Sequence, residues 1–198
     1  MMATMAYSQD TDALTGVDQT YIRSMVGGAG DGYSLGWEFQ LNQNAQVSAL
    51  GLLDLGFTSD HEVGIWNTSG QLLGNATVSE TATPDSNGFA WATLGSDIHL
   101  SAGQDYVISA WYPTDSGSCD NFVVFGSAPE TSSDVDVVSA ELGALTTSFD
   151  YPDNANGAFN AGVFGPNFEY TTTSVPEPST MALTGLGGLS LLLYRRRK

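Results

Sequence analysis

Between Leu35 and Leu41 the chain alternates without a break: Leu35, Trp37, Phe39 and Leu41 are separated by Gly36, Glu38 and Gln40. Successive side chains of an extended strand point to opposite faces, so this period of two predicts a strand with one face in a core and one towards water. Gln46–Leu55 is largely apolar and predicts a strand buried on both faces. Glu62–Trp66 and Gln71–Val78 flank Asn67-Thr68-Ser69-Gly70, the hairpin pattern of a turn cluster between two β-rich runs. Phe89–Leu94 and Asp97–Leu100 follow, and Ser101-Ala102-Gly103-Gln104 turns into Asp105–Tyr112. There Tyr106, Ile108, Ala110 and Tyr112 share one face, and Val107, Ser109 and Trp111 the other. Asn121–Phe125, Asp134–Ser139, Ala158–Phe164 and Asn167–Thr171 are further strand candidates, and Ser139–Ala144 reads as a single helical turn. Short strands divided by Gly, Asn, Asp and Ser predict one all-β domain over residues 34–170, an antiparallel, jelly-roll-like β-sandwich, with a closed barrel as the alternative. Residues 1–33 form a polar amino-terminal segment whose Gly27-Gly28-Ala29-Gly30-Asp31-Gly32 reads as loop.

The pattern changes completely at the carboxy terminus. Residues 171–174 are a polar linker, and Val175-Pro176-Glu177-Pro178 follows. The two prolines remove two amide donors and hold that stretch extended, the form a processing enzyme grips as an added strand. Met181–Tyr194 then carries no charge over fourteen residues. As a helix it spans about 21 Å, against a hydrocarbon core of about 30 Å. Starting the helix at Ser179 lengthens it to residues 179–194, and the following arginines reach the headgroups by extending their side chains. Tyr194 stands where an interfacial aromatic belongs, and Arg195, Arg196, Arg197 and Lys198 complete a membrane-stop signal with its basic end cytoplasmic.

Those four residues are also most of the positive charge. The chain has 22 acidic and five basic residues and a formal charge of −17; without the terminal four, residues 1–194 carry −21, with Arg23 as their one cation. Such a body repels nucleic acid and anionic lipid, which excludes nucleic acid as a partner. Cys119 is the sole cysteine, so no intramolecular disulfide forms and the fold rests on its core, with bound ions as an optional addition. The amino-terminal MMATMAYSQD lacks the basic and apolar regions of a signal peptide, although the tail requires export. A longer reading frame resolves this, with Ala3-Thr4-Met5-Ala6 as the remnant of a small-residue cleavage site.

The ordered combination of Val175-Pro176-Glu177-Pro178-Ser179-Thr180, a short Leu/Gly-rich run and a terminal Arg cluster resembles the PEP-CTERM sorting signal of Gram-negative bacteria, a region also described as an ice-binding-protein carboxy-terminal domain. The resemblance implies export, transient anchoring in the inner membrane with the carboxy terminus cytoplasmic, and cleavage near Pro176-Glu177-Pro178 by an exosortase. Release to the cell surface or the exopolysaccharide matrix would follow. It implies no ice-binding activity. Over Val47–Pro113 the body resembles an uncharacterised β-sandwich domain of bacterial secreted proteins: HEVGIWNTSGQLLGNATV supplies the Val-x-Ile-Trp strand, Gly turn and Leu-Leu strand, and SAGQDYVISAWYP the Ala-Gly-x-x-Tyr start of a strand.

Chemistry in the body is sparse. His61 and His99 are the only histidines; both read as surface or strand-facing side chains, with metal ligation as the sharper alternative, and alternation points His99 away from Ile98 and Leu100. Thr114-Asp115-Ser116-Gly117 faintly echoes a serine-protease loop but lacks the preceding glycine, so no catalytic residue is assigned. Asp150, Asp153, Asn154 and Asn156 before Gly157 form an oxygen-rich loop of the kind calcium favours, in a spacing that is not an EF-hand. Asp10/Asp12 and Asp134/Asp136 are further pairs, though solvated acidic turns explain all of them. Trp37, Trp66, Trp91 and Trp111 lie on predicted strands; Trp111 first and Trp66 second are candidates for stacking on sugars, against the simpler role of core packing. The expected function is a non-enzymatic exported surface or matrix protein that binds polysaccharide or calcium, with a secreted polysaccharide hydrolase as the alternative.

Overall fold

A computed structural model describes residues 10–114, 117–124, 129–153 and 163–172. In chain order the strands are β1 Thr11–Asp12, β2 Leu14–Gly16, β3 Ile22–Arg23, β4 Gly32–Leu41, β5 Ala45–Leu53, β6 His61–Asn67, β7 Leu72–Val78, β8 Phe89–Leu100, β9 Asp105–Pro113, β10 Phe122–Val123, β11 Glu130–Thr131, β12 Val135–Thr146 and β13 Pro166–Thr172. The architecture is all-β. A four-stranded sheet in the order β1-β13-β5-β8 and a five-stranded sheet in the order β12-β4-β9-β6-β7 form a sandwich, with two short pairs, β10-β3 and β11-β2, at its margin. Every strand pairing is antiparallel, and each sheet is open at two edges, so the barrel alternative does not apply.

The alternation in β4 works as the pattern requires. Leu35, Trp37, Phe39 and Leu41 are fully buried and face the other sheet. From β13, Phe168 meets them, 4.7 Å from Phe39 and 6.5 Å from Trp37 between ring centroids. Trp37 also spans the sandwich through its polar atom, its Nε1 donating to the carbonyl oxygen of Pro166 at 2.8 Å. Asn167, buried between these neighbours, bonds both the amide and the carbonyl of Leu14 and so ties β2 to β13.

Three segments differ from the sequence pattern. Ser139–Ala144 is not a helical turn; it lies inside β12, whose pairing with β4 shifts between Val137 and Ser139 and again between Ser139 and Leu142. The shifts break the period of two, while the ladder to β4 supplies backbone bonds that a lone helical turn cannot match. Phe89–Leu94 and Asp97–Leu100 are one bent strand: Val47 opposes Ile98 and Ala49 opposes Thr93, leaving Gly95 in a bulge. The polar segment before residue 33, loop over 27–31 as its glycines require, also holds short strands that its pattern did not announce: β1 adds to β13 and β3 pairs with β10. Of the Ala158–Phe164 candidate, residues 158–162 lie outside the described residues, and Val163 forms an isolated bridge with Val124.

Phe168→Ala removes the ring that joins both sheets and should cost about 3–5 kcal/mol. The half-exposed Leu72 serves as a control, with Leu72→Ala costing about 1 kcal/mol or less. Denaturant titration of the two variants checks this, and equal losses would count against the central role of the aromatic stack.

Candidate functional site

Gly32 and Gly51 explain where two tryptophans lie. A Cβ on Gly32 would come within 2.3 Å of Trp111 Nε1, and one on Gly51 within 2.5 Å of the Trp91 ring, so each indole is pressed flat over a bare stretch of backbone. Trp111 is on the outer face of the five-stranded sheet, half-buried, and its Nε1 is covered without a hydrogen-bond acceptor. Trp91 is on the outer face of the four-stranded sheet, where Asp85 Oδ2 accepts from its Nε1 at 2.8 Å. Trp66 is only 6% exposed. Phe149 and Tyr151 cover it at 5.2 and 5.9 Å, and its Nε1 donates to Ser109 Oγ at 2.9 Å. Trp66 therefore keeps no free face for a sugar; it anchors the segment after β12, whose Asp150 amide donates to the buried Ser34 Oγ.

The histidines separate. His99 is exposed, as alternation requires. His61 is not a surface residue: it is fully buried between Phe57 and Tyr112, at 4.6 and 4.9 Å. Its Nδ1 donates to the carbonyl oxygen of Trp111 at 2.9 Å, and its Nε2 lies 3.1 Å from Asp120 Oδ2. Both ring nitrogens thus face acceptors. Asp120 also accepts from the amides and hydroxyls of Thr58 and Ser59. Burial pushes the Asp120 carboxyl up, but the Thr58 and His61 hydrogen bonds and the histidine charge outweigh it and hold the group below the ordinary aspartate value. Sealed in this way, the pair fastens the loop before β6 to the segment before β10 rather than meeting a substrate. Its signal was present in the sequence, since His61, Val63 and Ile65 share one face of a period-two strand.

Neighbouring candidates are equally committed. Thr114 is buried, its hydroxyl within hydrogen-bond distance of the carbonyl oxygens of Gly28 and Asp31, and Asp115 and Ser116 lie outside the described residues. Cys119 is buried, its Sγ accepts from the Met25 amide, and burial pushes its thiol up. Asp150 and Asp153 are exposed, while Asn154 and Asn156 lie outside the described residues. Asp134 Oδ1 accepts from Gln43 Nε2 at 2.9 Å. Among the described residues no three His, Cys, Asp or Glu side chains are grouped to hold a metal ion.

Among the described residues an open space lies elsewhere, at the end of the sandwich carrying the β6–β7 and β8–β9 turns. A cleft of about 400 Å³ is lined by Asn67, Thr68, Ser69, Leu73, His99, Gln104, Asp105 and Tyr106. Asn67 Oδ1 accepts from the Ser69 and Gln71 amides and shapes one wall. Asp105 is held by Gln40 Nε2 at 2.9 Å, and the Tyr106 hydroxyl accepts from the Ser101 amide. Amides, hydroxyls, a carboxylate and an imidazole around two apolar side chains form a mixed donor and acceptor surface.

The sorting residues Val175, Pro176, Glu177 and Pro178, the apolar run 179–194 and the basic cluster Arg195–Lys198 lie outside the described residues. Among the described residues no helix is long and apolar enough to cross a membrane. The family described as a domain of unknown function, DUF4082, matches residues 23–175, and the PEP-CTERM protein-sorting motif matches residues 174–198. No curated protein matches the chain.

Because Asp120 binds its proton less readily when folded, its contribution to stability is whole above the ordinary aspartate pKa of 3.8 and is lost as pH falls through the lower folded value. Asp120→Asn should cost about 1–3 kcal/mol at neutral pH, because an amide NH2 then faces donors. It should also flatten the acid limb of a melting-temperature profile between about pH 2 and 5. An unchanged acid limb in the variant would show that Asp120 is not the group responsible.

Proposed function

The chain belongs to the DUF4082 family and ends in a PEP-CTERM protein-sorting motif, and from that premise we propose that it is a non-enzymatic polysaccharide-binding protein of the cell surface or extracellular matrix. The motif marks an exported protein sorted by an exosortase. In this reading the apolar run 179–194 holds the chain in the inner membrane, Arg195–Lys198 stay cytoplasmic, and cleavage near Pro176-Glu177-Pro178 frees the body. One observation carries it: β13 ends at Thr172 and the sorting motif begins at residue 174, so cleavage within the motif leaves every strand in place.

The cleft supports binding rather than turnover. His99 and Asp105 are its titratable groups besides the Tyr106 phenol, and Asp105 is already engaged by Gln40. The His61–Asp120 pair, an acid–base couple among the described side chains, is buried and does not line the cleft. A body of charge −21 disfavours polyanions, so the fitting ligand is an uncharged polysaccharide.

Mass spectrometry of the mature carboxy terminus tests the route. Cells with exosortase should yield a product lacking Arg195–Lys198, and Pro176→Ala with Pro178→Ala should leave the protein in the membrane fraction. Intact RRRK on surface-exposed protein would defeat the sorting reading. For the cleft, His99→Ala combined with Gln104→Ala should weaken binding to uncharged matrix polysaccharide about tenfold, with no shift in melting temperature. Release of shortened sugar products would reassign the protein as a hydrolase.

A further inference from the structure

Along β8, side chains that enter the core alternate with side chains that leave it. Ala90, Ile98 and Leu100 are buried, whereas Trp91 is half-buried and Thr93, Asp97 and His99 are exposed on the outer side of the strand. Pairing with β5 fixes their spacing. Trp91 opposes Gly51 and His99 opposes Gln46. Those two β5 residues are five positions apart, about 17 Å along an extended strand. The extra residues of β8 are taken up in the bulge between Thr93 and Ile98. Between the two ends, Thr93 presents a hydroxyl, and Asp97 Oδ2 accepts from Gln46 Nε2. Glu169 of β13 lies one strand further in, opposite Ala49, whose other partner is Thr93. A row of hydrogen-bonding groups therefore joins Trp91 to His99, and His99 lines the cleft.

Trp91 is held as a platform at the far end of this row. Gly51 lacks the Cβ that would come within 2.5 Å of the ring, so the indole rests directly on backbone. Its Nε1 donates to Asp85 Oδ2 at 2.8 Å, and Asp85 is itself fixed, its Oδ1 accepting from the amides of Asn87 and Phe89 at 2.8 and 3.0 Å. Among the described residues its ring neighbour is Phe89 of the same strand, at 5.8 Å. Trp66, by contrast, is closed over by Phe149 and Tyr151. A partly exposed indole whose orientation is already set loses little freedom on binding, and its flat apolar face suits the C–H face of a pyranose ring.

Resting on the reading of the cleft as a polysaccharide site, we propose that Trp91 is a second sugar subsite and that the ligand is an extended uncharged polysaccharide lying along β8 from the cleft to Trp91. Asp97 and Glu169 border the row, and Asp10, Asp12 and Asp85 act electrostatically on Glu169. This negative border disfavours a polyanion. Among the described residues no three His, Cys, Asp or Glu side chains are grouped to hold a metal, so the carboxylates serve as acceptors for sugar hydroxyls. A monosaccharide fills one end of the row. A chain of about 17 Å or more fills both. The second contact is then intramolecular, and affinity rises with chain length without a tighter contact at either end.

The test measures binding of the full-length chain in detergent micelles to the uncharged polysaccharide fraction of the host matrix, separated by size into long chains and di- and trisaccharides. The long chains should bind about tenfold more tightly, per chain, than the short ones. Trp91→Ala should bring long-chain affinity down to the short-chain value and leave short-chain binding at the cleft unchanged. Thr93→Arg, an exposed change that leaves Trp91 in place but lays a long side chain across the row, should do the same with no shift in melting temperature; it decides the matter if Trp91→Ala fails to fold. Affinity independent of chain length in the unaltered protein, or long-chain binding undiminished in a folded Trp91→Ala or Thr93→Arg variant, would overturn the Trp91 subsite and leave the cleft reading standing. Failure of the unaltered protein to bind either size class would overturn the cleft reading and the subsite with it.

Discussion

The contact between β4 and β13 across the sandwich is the constraint on which the remaining structure depends. Phe39 and Trp37 meet Phe168 and Phe164 in one aromatic stack, and the Trp37 indole ties the five-stranded sheet to the carbonyl of Pro166 in the four-stranded one. Large aromatic surfaces leaving water supply most of the driving force, and the hydrogen bond sets how far the sheets slide past each other. β13 is also the strand that continues into the sorting segment. The same element therefore closes the core and fixes where the tail departs.

With a single cysteine, the chain cannot staple its margins with a disulfide. Buried polar pairs perform that task. Asn167 ties Leu14 of β2 to β13, and Asp120 gathers Thr58, Ser59 and His61 into one satisfied cluster. Such clusters are costly when half satisfied and rigid when complete. They hold the loop-rich end of the sandwich, opposite the cleft, and leave the cleft end to turns that are polar but uncharged.

The sorting tail and the DUF4082 body are consequently separate in chemistry while touching in sequence. Sorting requires an unpaired segment, because a backbone already inside a ladder cannot be gripped as an added strand. β13 ends just before the matched motif, so the body keeps all its hydrogen bonds whichever bond of the motif is cut.

The order of residues along the chain was enough to determine the all-β class, the β4 core face, the outward placement of Trp111 and His99, and the sorting signal. All of these depend on local periodicity or on a linear motif, and neither needs a distant partner. Tertiary structure alone decided the rest. Ser139–Ala144 joined β12 because β4 offered it a ladder. Trp66 was closed off by Phe149 and Tyr151, more than eighty residues away. His61 was buried because Asp120 and the Trp111 carbonyl, far along the chain, satisfied both its nitrogens. Alternation assigns a side chain to a face, but only long-range packing decides whether that face is open, covered or paired.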